Sequence, residues 1–173
     1  MEFDKCFFCR SADSQFLYGT DHYNLRKCNN CQLVFKSQLQ EQDVGELNAE
    51  LYDEKLTNYR LKNRKRGVFL AKKRRKVVAK YLLGTAKILE IGPATGEFIE
   101  CALEKGYEIE AVETAKPFVE FLREQYGIYC HEGYLDSLPQ EHGDYDAVVL
   151  FHVLEHISDP SYIYRTNQTA FET

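Results

Sequence analysis

The sequence predicts an α/β fold with a parallel sheet, preceded by a small cysteine-bearing module and a helical linker. Two observations carry this prediction. Short apolar segments alternate with helical segments from residue 86 onward, and two Cys-x-x-Cys pairs stand near the N-terminus. Alternating strands and helices favour right-handed crossovers and therefore parallel strands. We divide the 173-residue chain into a cysteine module (1–38), a linker (39–84) and a sheet domain (85–173).

The sheet domain is expected to contain four strands and two helices. The strands are predicted at residues 87–91, 107–112, 128–130 and 145–151, and the helices at 96–105 and 115–126. Pro117 stands in the first turn of the second helix, and Gly106 and Gly127 follow the two helices as stop signals. This alternation predicts a Rossmann-like sheet that is incomplete, with about four strands.

The paired cysteines have the spacing of a zinc ribbon. They are Cys6, Cys9, Cys28 and Cys31. Two Cys-x-x-Cys turns direct four thiolates at one point, and such a closed tetrahedral site holds a structural Zn²⁺. A disulfide pair is an alternative that needs an oxidising compartment, and a redox Cys-x-x-Cys is an alternative that needs no second pair. Cys101 and Cys130 lie in apolar segments, and we expect both in the core.

The segment from Ile88 to Phe98 places a turn of small residues between a strand and a helix. Gly92 and Gly96 allow the backbone to approach a ligand, and the following helix offers free N–H groups. Glu113 ends the next strand, where a carboxylate can bind both hydroxyls of a ribose. The Gly-x-Gly-x-x-Gly pattern of dinucleotide sites would place Glu97 at its third glycine, so a dinucleotide fits poorly.

Three motifs resemble those of the class I S-adenosylmethionine-dependent methyltransferases. Their acidic-x-Gly-x-Gly-x-Gly motif corresponds to Glu90-x-Gly92-x-Ala94-x-Gly96, with Ala94 in place of one glycine. Residues 144–160 resemble the family's Asp-x-hydrophobic strand, its Val-Leu-Glu-His helix start and its Asp-Pro. Residues 132–139 are a weaker match, with Tyr134 where the family usually has an acidic residue near the adenine amino group.

The resemblance implies that S-adenosylmethionine binds at the carboxyl edge of the sheet. An acidic residue before the glycine loop suits this cationic ligand, which carries a sulfonium and an ammonium but no phosphate. The implied cofactor-binding residues are Glu90, Gly92, Pro93, Ala94, Thr95, Gly96, Phe98, Glu113, Thr114, Tyr134, Leu135, Phe151 and His152.

The resemblance also implies methyl transfer to a small acceptor such as a sugar or another secondary metabolite. A general base is needed only when the acceptor is a hydroxyl or a carbon acid. His152 and His156 are the candidates, and either can instead brace the following helix. The alternative function is a zinc-stabilised module that binds nucleic acid or a partner and carries a vestigial nucleotide fold.

Residues 55–80 contain twelve basic residues and no acidic residue, whereas the rest of the chain has 10 basic and 27 acidic residues. We expect a helix here that shields one side of the site and ends at Gly84. Its expected buried face consists of Val68, Phe69, Val77, Val78, Tyr81 and Leu82. The charges either form a solvated face or meet a phosphate-bearing acceptor, and the net charge of −5 argues against nucleic acid.

The remaining expectations concern location and completeness. The chain has no apolar stretch of 18 residues and no secretory signal pattern, so we expect no membrane partner and a cytoplasmic location. The family's sheet has seven strands, and the four predicted here would lie in the order 3-2-1-4. We therefore expect a fragment that is inactive alone and self-associates through the open edge at residues 147–151.

Overall fold

The computed structural model describes residues 5–20, 24–37, 54–139, 141–157 and 163. Two sheets are present in this part of the chain. The first is antiparallel, with the strands in the order β1 (Ser14–Gly19), β2 (Asn24–Cys28) and β3 (Val34–Lys36). It belongs to the cysteine module, whose buried centre is formed by Cys6, Cys28 and Phe35.

The second sheet has four parallel strands. These are β4 (Lys87–Ile91), β5 (Glu108–Glu113), β6 (Cys130–Glu132) and β7 (Ala147–Leu150). Their order in the sheet is β6-β5-β4-β7, and each neighbouring pair is parallel. The predicted parallel sheet with the strand order 3-2-1-4 is therefore confirmed.

Four α-helices accompany the sheets in the described residues. They are α1 (Glu54–Lys62), α2 (Arg64–Val78), α3 (Glu97–Leu103) and α4 (Lys116–Tyr126), and short 3₁₀ helices follow at Leu135–Ser137 and Leu154–His156. Even the longest of them, the 15-residue α2, is too short and polar to cross a membrane, as are the other described helices.

Three predicted strands have different bounds in the structure, and the second is shifted by one residue, to Glu108–Glu113. The third strand begins at Cys130, because Ile128 and Tyr129 form the connection after Gly127, which ends α4 in a left-handed conformation. Of these two residues, only Tyr129 bonds to β5, through its carbonyl, which accepts a hydrogen bond of 3.0 Å from the backbone N–H of Ala111. The fourth strand pairs with β4 only from Ala147 to Leu150, so the prediction of 145–151 was too long at both ends.

Residues 54–62 and 64–78 of the predicted linker are helical, but not as the single helix that the sequence predicted. Two helices stand in place of one, and α2 ends at Val78, where 3₁₀-type hydrogen bonds tighten the chain, so Gly84 does not cap it. Residues 39–53 of the linker and residues 158–160 of the Asp-Pro motif lie outside the described residues.

The buried face of α2 is also different from the predicted one. Ala71 is buried, and Val68, Val78 and Leu82 pack against the core with it. Three residues that were predicted to be buried are instead exposed, namely Phe69, Val77 and Tyr81. The reason is geometric: Val68, Ala71 and Val78 recur at helical intervals along one stripe, and Phe69 and Val77 lie off that stripe.

The core consists of two clusters on opposite faces of the parallel sheet. Successive residues of a strand point to opposite faces, so Ile88 belongs to one cluster and Leu89 to the other. Helices α2, α3 and α4 cover the face of Ile88. The predicted core cysteines, Cys101 and Cys130, are fully buried in the same cluster.

Candidate functional site

A cavity of about 420 Å³ lies at the carboxyl ends of β4 and β7. Here the strand order reverses, because β5 flanks β4 on one side and β7 on the other. Connections that diverge from such a point leave a crevice in which ligands of parallel α/β sheets bind. Ten of the predicted site residues line the cavity: Glu90, Gly92, Pro93, Ala94, Phe98, Glu113, Thr114, Phe151, His152 and His156.

Four predicted cofactor-binding residues lie outside this lining. Thr95 is buried under the loop, where its hydroxyl donates a hydrogen bond of 2.6 Å to the Glu97 carboxylate. Gly96 is the N-cap of α3. Leu135 is buried in the second core cluster, and the neighbouring Tyr134 is 59% exposed.

The cavity has further lining residues that the sequence motifs do not indicate. They are Arg60, Gly67, Leu70, Ala71, Arg74, Glu97, Phe118 and Val153. The four residues from α2 are spaced by three or four positions and so share one helical face. This periodicity is visible in the sequence, but it does not show which other part of the fold that face of α2 packs against.

The glycine loop requires glycine at two positions. Gly92 has a φ of +66°, and a Cβ there would lie 2.6 Å from Cγ2 of Val153. Gly96 has a φ of +70°, and a Cβ there would lie 2.6 Å from Cδ2 of Leu122. Ala94 has a φ of +50°, a conformation that costs a residue with a side chain about 1–2 kcal/mol. The loop therefore holds its backbone tightly against α4 and against the segment that follows β7.

Glu113 fixes this loop through its carboxylate. Oε2 accepts a hydrogen bond of 3.0 Å from the backbone N–H of Ala94. Oε1 accepts hydrogen bonds from the backbone N–H groups of Thr114, at 2.8 Å, and Ala115, at 3.0 Å. A carboxylate accepts about four hydrogen bonds. Glu113 thus supports the loop and keeps limited acceptor capacity for a ligand.

Glu90 is the least satisfied charged group of the site. Its side chain is buried, and Oε2 has no hydrogen-bond partner among the described residues. Burial raises its pKa to about 8, with a further contribution from the carboxylates of Glu97 and Glu113 and a smaller opposing effect of Arg74. A buried carboxyl with an open acceptor atom is suited to a cationic ligand.

Arg64 attaches α2 to α3 beside the cavity. Its guanidinium lies 2.6 Å from Oε2 of Glu100 and 3.9 Å from Oε1 of Glu97. It also donates a hydrogen bond to the hydroxyl of Tyr126 on α4. These contacts hold the basic helix α2 at the cavity wall.

Two histidines follow β7 at the same edge. His152 has a φ of +60°, in the left-handed region that residues other than glycine rarely adopt. His156 lies in the short 3₁₀ helix that comes next. The side chains of both line the cavity, so either can meet an acceptor there.

The four paired cysteines form a second candidate site. Their Sγ atoms lie within 4.8 Å of one another, with 3.5 Å between those of Cys6 and Cys31 and 3.4 Å between those of Cys9 and Cys28. A disulfide has an S–S length of about 2.05 Å, so these are separate thiols. Zn–S bonds of about 2.3 Å place the sulfurs of a tetrahedral site about 3.8 Å apart. The cluster therefore fits a zinc ion.

The four thiols of this cluster also influence one another's pKa values. Hydrogen bonds from the backbone of Ser11 and the side chain of Asn30 lower the pKa of Cys9 to about 6. The backbone of Leu33 favours the thiolate of Cys31, but burial and the other three cysteines outweigh it and raise its pKa to about 12. The four thiolates oppose one another, so they need a metal charge to ionise together.

The comparison with protein families covers the parallel sheet together with α1 and α2. Residues 52–172 match the model of a family described as a methyltransferase domain. The chain belongs to this methyltransferase family. The parallel sheet is thus that of a class I methyltransferase fold, as the sequence motifs predicted. A search of the curated proteins found no match.

Solved methyltransferases share this fold. The plantazolicin methyltransferase BpumL, in complex with a pentazolic desmethyl analogue and S-adenosylhomocysteine, is 10% identical with a TM-score of 0.55, over 76% of this chain and 56% of that chain. The glycopeptide N-methyltransferase MtfA, with bound S-adenosylmethionine, is 13% identical with a TM-score of 0.50, over 59% and 50%. The chain spans about half the length of these two proteins.

Proposed function

We propose that this methyltransferase domain binds S-adenosylmethionine in the cavity and directs its methyl group to a small-molecule acceptor. The observation that carries the proposal is the open Oε2 atom of the buried Glu90 in the wall of a cavity at the strand-order reversal. S-adenosylmethionine brings two cationic groups, its sulfonium and its α-ammonium. The ammonium supplies the donors that Glu90 lacks.

The position of Glu97 argues against a dinucleotide. Three carboxyl groups line the cavity, those of Glu90, Glu97 and Glu113, beside the guanidinium groups of Arg60 and Arg74. A pyrophosphate at the start of α3 would face Glu97 in the first turn of that helix. Like charges in a partly buried cavity disfavour such a ligand.

The reaction requires little covalent chemistry from the residues of this chain. When bound, the cofactor supplies an activated methyl carbon, and the acceptor atom bonds to that carbon as the carbon–sulfur bond breaks. The protein's part is to orient the reactants and to exclude water, which α2 and the glycine loop do from two sides. His152 takes the proton of the acceptor when that acceptor is a hydroxyl or a carbon acid.

The proposed acceptor is a sugar or another secondary metabolite. A phosphate group on such an acceptor would be attracted by the basic surface of α2. Helix α2 presents Lys72, Lys73 and Lys76 to solvent. Such a basic surface increases the local concentration of anionic ligands. The solved neighbours BpumL and MtfA are methyltransferases of plantazolicin and of a glycopeptide, which supports a metabolite as the acceptor class.

The experiment is methyl transfer from radiolabelled S-adenosylmethionine to three separate acceptor sets: nucleotide sugars, desmethyl peptide metabolites and a short RNA. We expect any label to enter a small-molecule set, and turnover to fall by a larger factor than cofactor affinity in His152→Ala. His131→Ala is the control, since His131 lies outside the cavity lining. Label in the RNA alone would favour the nucleic-acid alternative.

We also propose that Cys6, Cys9, Cys28 and Cys31 hold one structural Zn²⁺. Its support is the fit of the sulfur distances and the opposition among the thiolates. The four sulfurs complete a tetrahedron, so no position remains for a catalytic water. Thiolate sites persist in reducing compartments, which supports a cytoplasmic location.

A further inference from the structure

Helix α2 has a second face, on the side opposite the cavity. The residues Gly67, Ala71 and Arg74 line the cavity from one side of the helix. With about 3.6 residues per turn, Phe69 and Lys73 lie about 160° around the helix from Ala71. They belong to an exposed row, here called the basic stripe, which consists of Arg66, Phe69, Lys73, Lys76 and Lys80. A partner bound to the basic stripe therefore leaves the cavity open.

The charges of the basic stripe are not balanced by nearby carboxylates. Among the described residues, no carboxylate oxygen lies within 4.0 Å of the side-chain nitrogen of Lys73 or Lys76. Residues 55–80 contain no acidic residue, so the helix supplies no negative charge of its own. The exposed side chains of Lys65 and Lys72 flank the stripe and add to its charge. Such a surface favours a partner of the opposite charge.

Apolar side chains are interleaved with these charges. Phe69 is 58% exposed, and Val77, which flanks the stripe, is 54% exposed. The Nζ atom of Lys73 lies 4.6 Å from the centroid of the Phe69 ring, so the cation is attracted by the ring face. A phosphate group offers no apolar surface to Phe69 and Val77. Exposed aromatic rings are instead enriched at the centres of protein interfaces.

The spacing of the stripe favours a helix as the contacting element of the partner. From Arg66 to Lys80 its members are separated by three, four, three and four residues. Alternation of three and four keeps a row of side chains facing one partner helix along its length. An RNA or a membrane would extend beyond the 15 residues of α2, which span about 22 Å. It would then meet the rest of the chain, which has 10 basic and 27 acidic residues.

We propose that the basic stripe docks an acidic amphipathic helix of a partner protein. The carboxylates of that helix face Lys73 and Lys76, and its apolar side chains cover Phe69 and Val77. A single helix binds along α2 without meeting the acidic remainder of the chain, which would repel a longer polyanion. The inference does not depend on the proposed function, because the stripe and the cavity lie on opposite sides of α2.

The binding test uses a fluorescein-labelled peptide of about 20 residues, long enough to form a helix, with glutamate and leucine on one helical face. The control peptide has the same composition in scrambled order. The full chain is titrated with each peptide, and with a short single-stranded RNA and phosphatidylserine vesicles. We expect the amphipathic peptide to bind about tenfold or more tightly than the scrambled one. Equal binding of the two peptides, no binding of either, or tighter binding of RNA or vesicles would overturn the inference.

Charge-reversed variants locate the binding surface. The pair Lys73→Glu and Lys76→Glu should weaken binding of the amphipathic peptide by about tenfold or more, because attraction becomes repulsion. The control pair Lys105→Glu and Lys116→Glu makes the same change in net charge at exposed lysines outside α1 and α2, and should weaken binding less than about twofold. Equal losses in the two pairs would overturn the inference, since net charge alone would explain them.

A variant without a charge change tests the apolar part of the surface. Phe69→Ala should weaken binding of the amphipathic peptide by about fivefold, the loss expected for an aromatic anchor. Circular dichroism and urea unfolding check that every variant is folded. If the Lys73→Glu and Lys76→Glu pair does not fold, Phe69→Ala decides, and unchanged binding in that variant would overturn the inference.

Discussion

The carboxylate of Glu113 accepts a hydrogen bond of 3.0 Å from the backbone N–H of Ala94. This bond joins the end of β5 to the loop after β4. The sequence motifs predict that the nucleoside part of the ligand binds between this loop and the end of β5. The loop conformation includes Ala94 at a φ of +50°, so Glu113 stabilises a strained backbone as well as lining the cavity.

Replacing Glu113 should therefore affect both binding and stability. In Glu113→Ala we expect S-adenosylmethionine to bind more weakly by about 1–3 kcal/mol and the free energy of unfolding to fall by a similar amount, because several N–H groups lose their acceptor. Calorimetry and urea unfolding measure the two effects. Glu132→Ala is the control, because Glu132 ends β6 and is exposed. Unchanged stability would show that the hydrogen bonds at Glu113 contribute nothing.

Glu90 should make stability depend on pH. Its pKa is raised from an ordinary value of 4.5 to about 8 in the folded protein, so the folded state holds a proton that the unfolded state releases. The free energy of unfolding should fall as the pH rises from about 4.5 to 8. Relative to wild type, Glu90→Gln should gain roughly 2–5 kcal/mol between pH 5 and pH 8.5, at about 1.4 kcal/mol per unit of pKa difference. The prediction would be contradicted if urea unfolding gave the same stability difference between wild type and Glu90→Gln at both pH values.

Cofactor affinity should show the opposite trend with pH. A cation binds the ionised form of Glu90, so binding to the wild type must release its proton below pH 8. We expect the affinity for S-adenosylmethionine to rise with pH up to about 8 and then to level off. Glu90→Gln should bind weakly and lack this rise. Calorimetry at several pH values, in buffers of different ionisation enthalpy, also counts the protons released.

Gly92 offers a test of the loop's close packing. In Gly92→Ala the new Cβ would meet Val153 at 2.6 Å in addition to the strain of a φ of +66°. Gly84→Ala is a matched control, with a φ of +69° and no atom within 4 Å of the added Cβ. We expect Gly84→Ala to cost about 1–2 kcal/mol of unfolding free energy, and Gly92→Ala about 1–3 kcal/mol more. Equal losses of unfolding free energy in the two variants would mean that Val153 moves aside without an energetic penalty.

The cysteine cluster should carry metal. Protein purified without added metal should contain about one zinc per chain, and Cys28→Ser should lose most of it together with the fold of the cysteine module. Elemental analysis measures the content. Cys101→Ala is the control, because Cys101 lies in the core cluster of the other sheet. Zinc retained in Cys28→Ser, or lost in Cys101→Ala, would refute the four-cysteine site.

The sequence was informative where one local signal determined the structure. The strand Lys87–Ile91 was predicted with its true bounds, because an apolar run ends directly at the glycine loop. The four cysteines were identified by spacing alone. The strand order followed from the family resemblance, and the structure confirmed it.

The residues that escaped prediction depend on tertiary packing. Arg74 and Gly67 line the cavity because α2 packs against α3, and helical periodicity does not show which element a face meets. Ile128 and Tyr129 are apolar and adjacent to a strand, yet they belong to a connection. Burial of Phe69 was expected from its hydrophobicity, whereas its position on the helix leaves it exposed.

The most direct test of the central claim is a calorimetric titration of the full chain with S-adenosylmethionine and, separately, with NAD⁺. The cavity's carboxylates, the open oxygen of Glu90 and the glycine loop lead us to expect one-site binding of S-adenosylmethionine and no heat from NAD⁺. Binding of NAD⁺ by a protein that ignores S-adenosylmethionine would contradict the account.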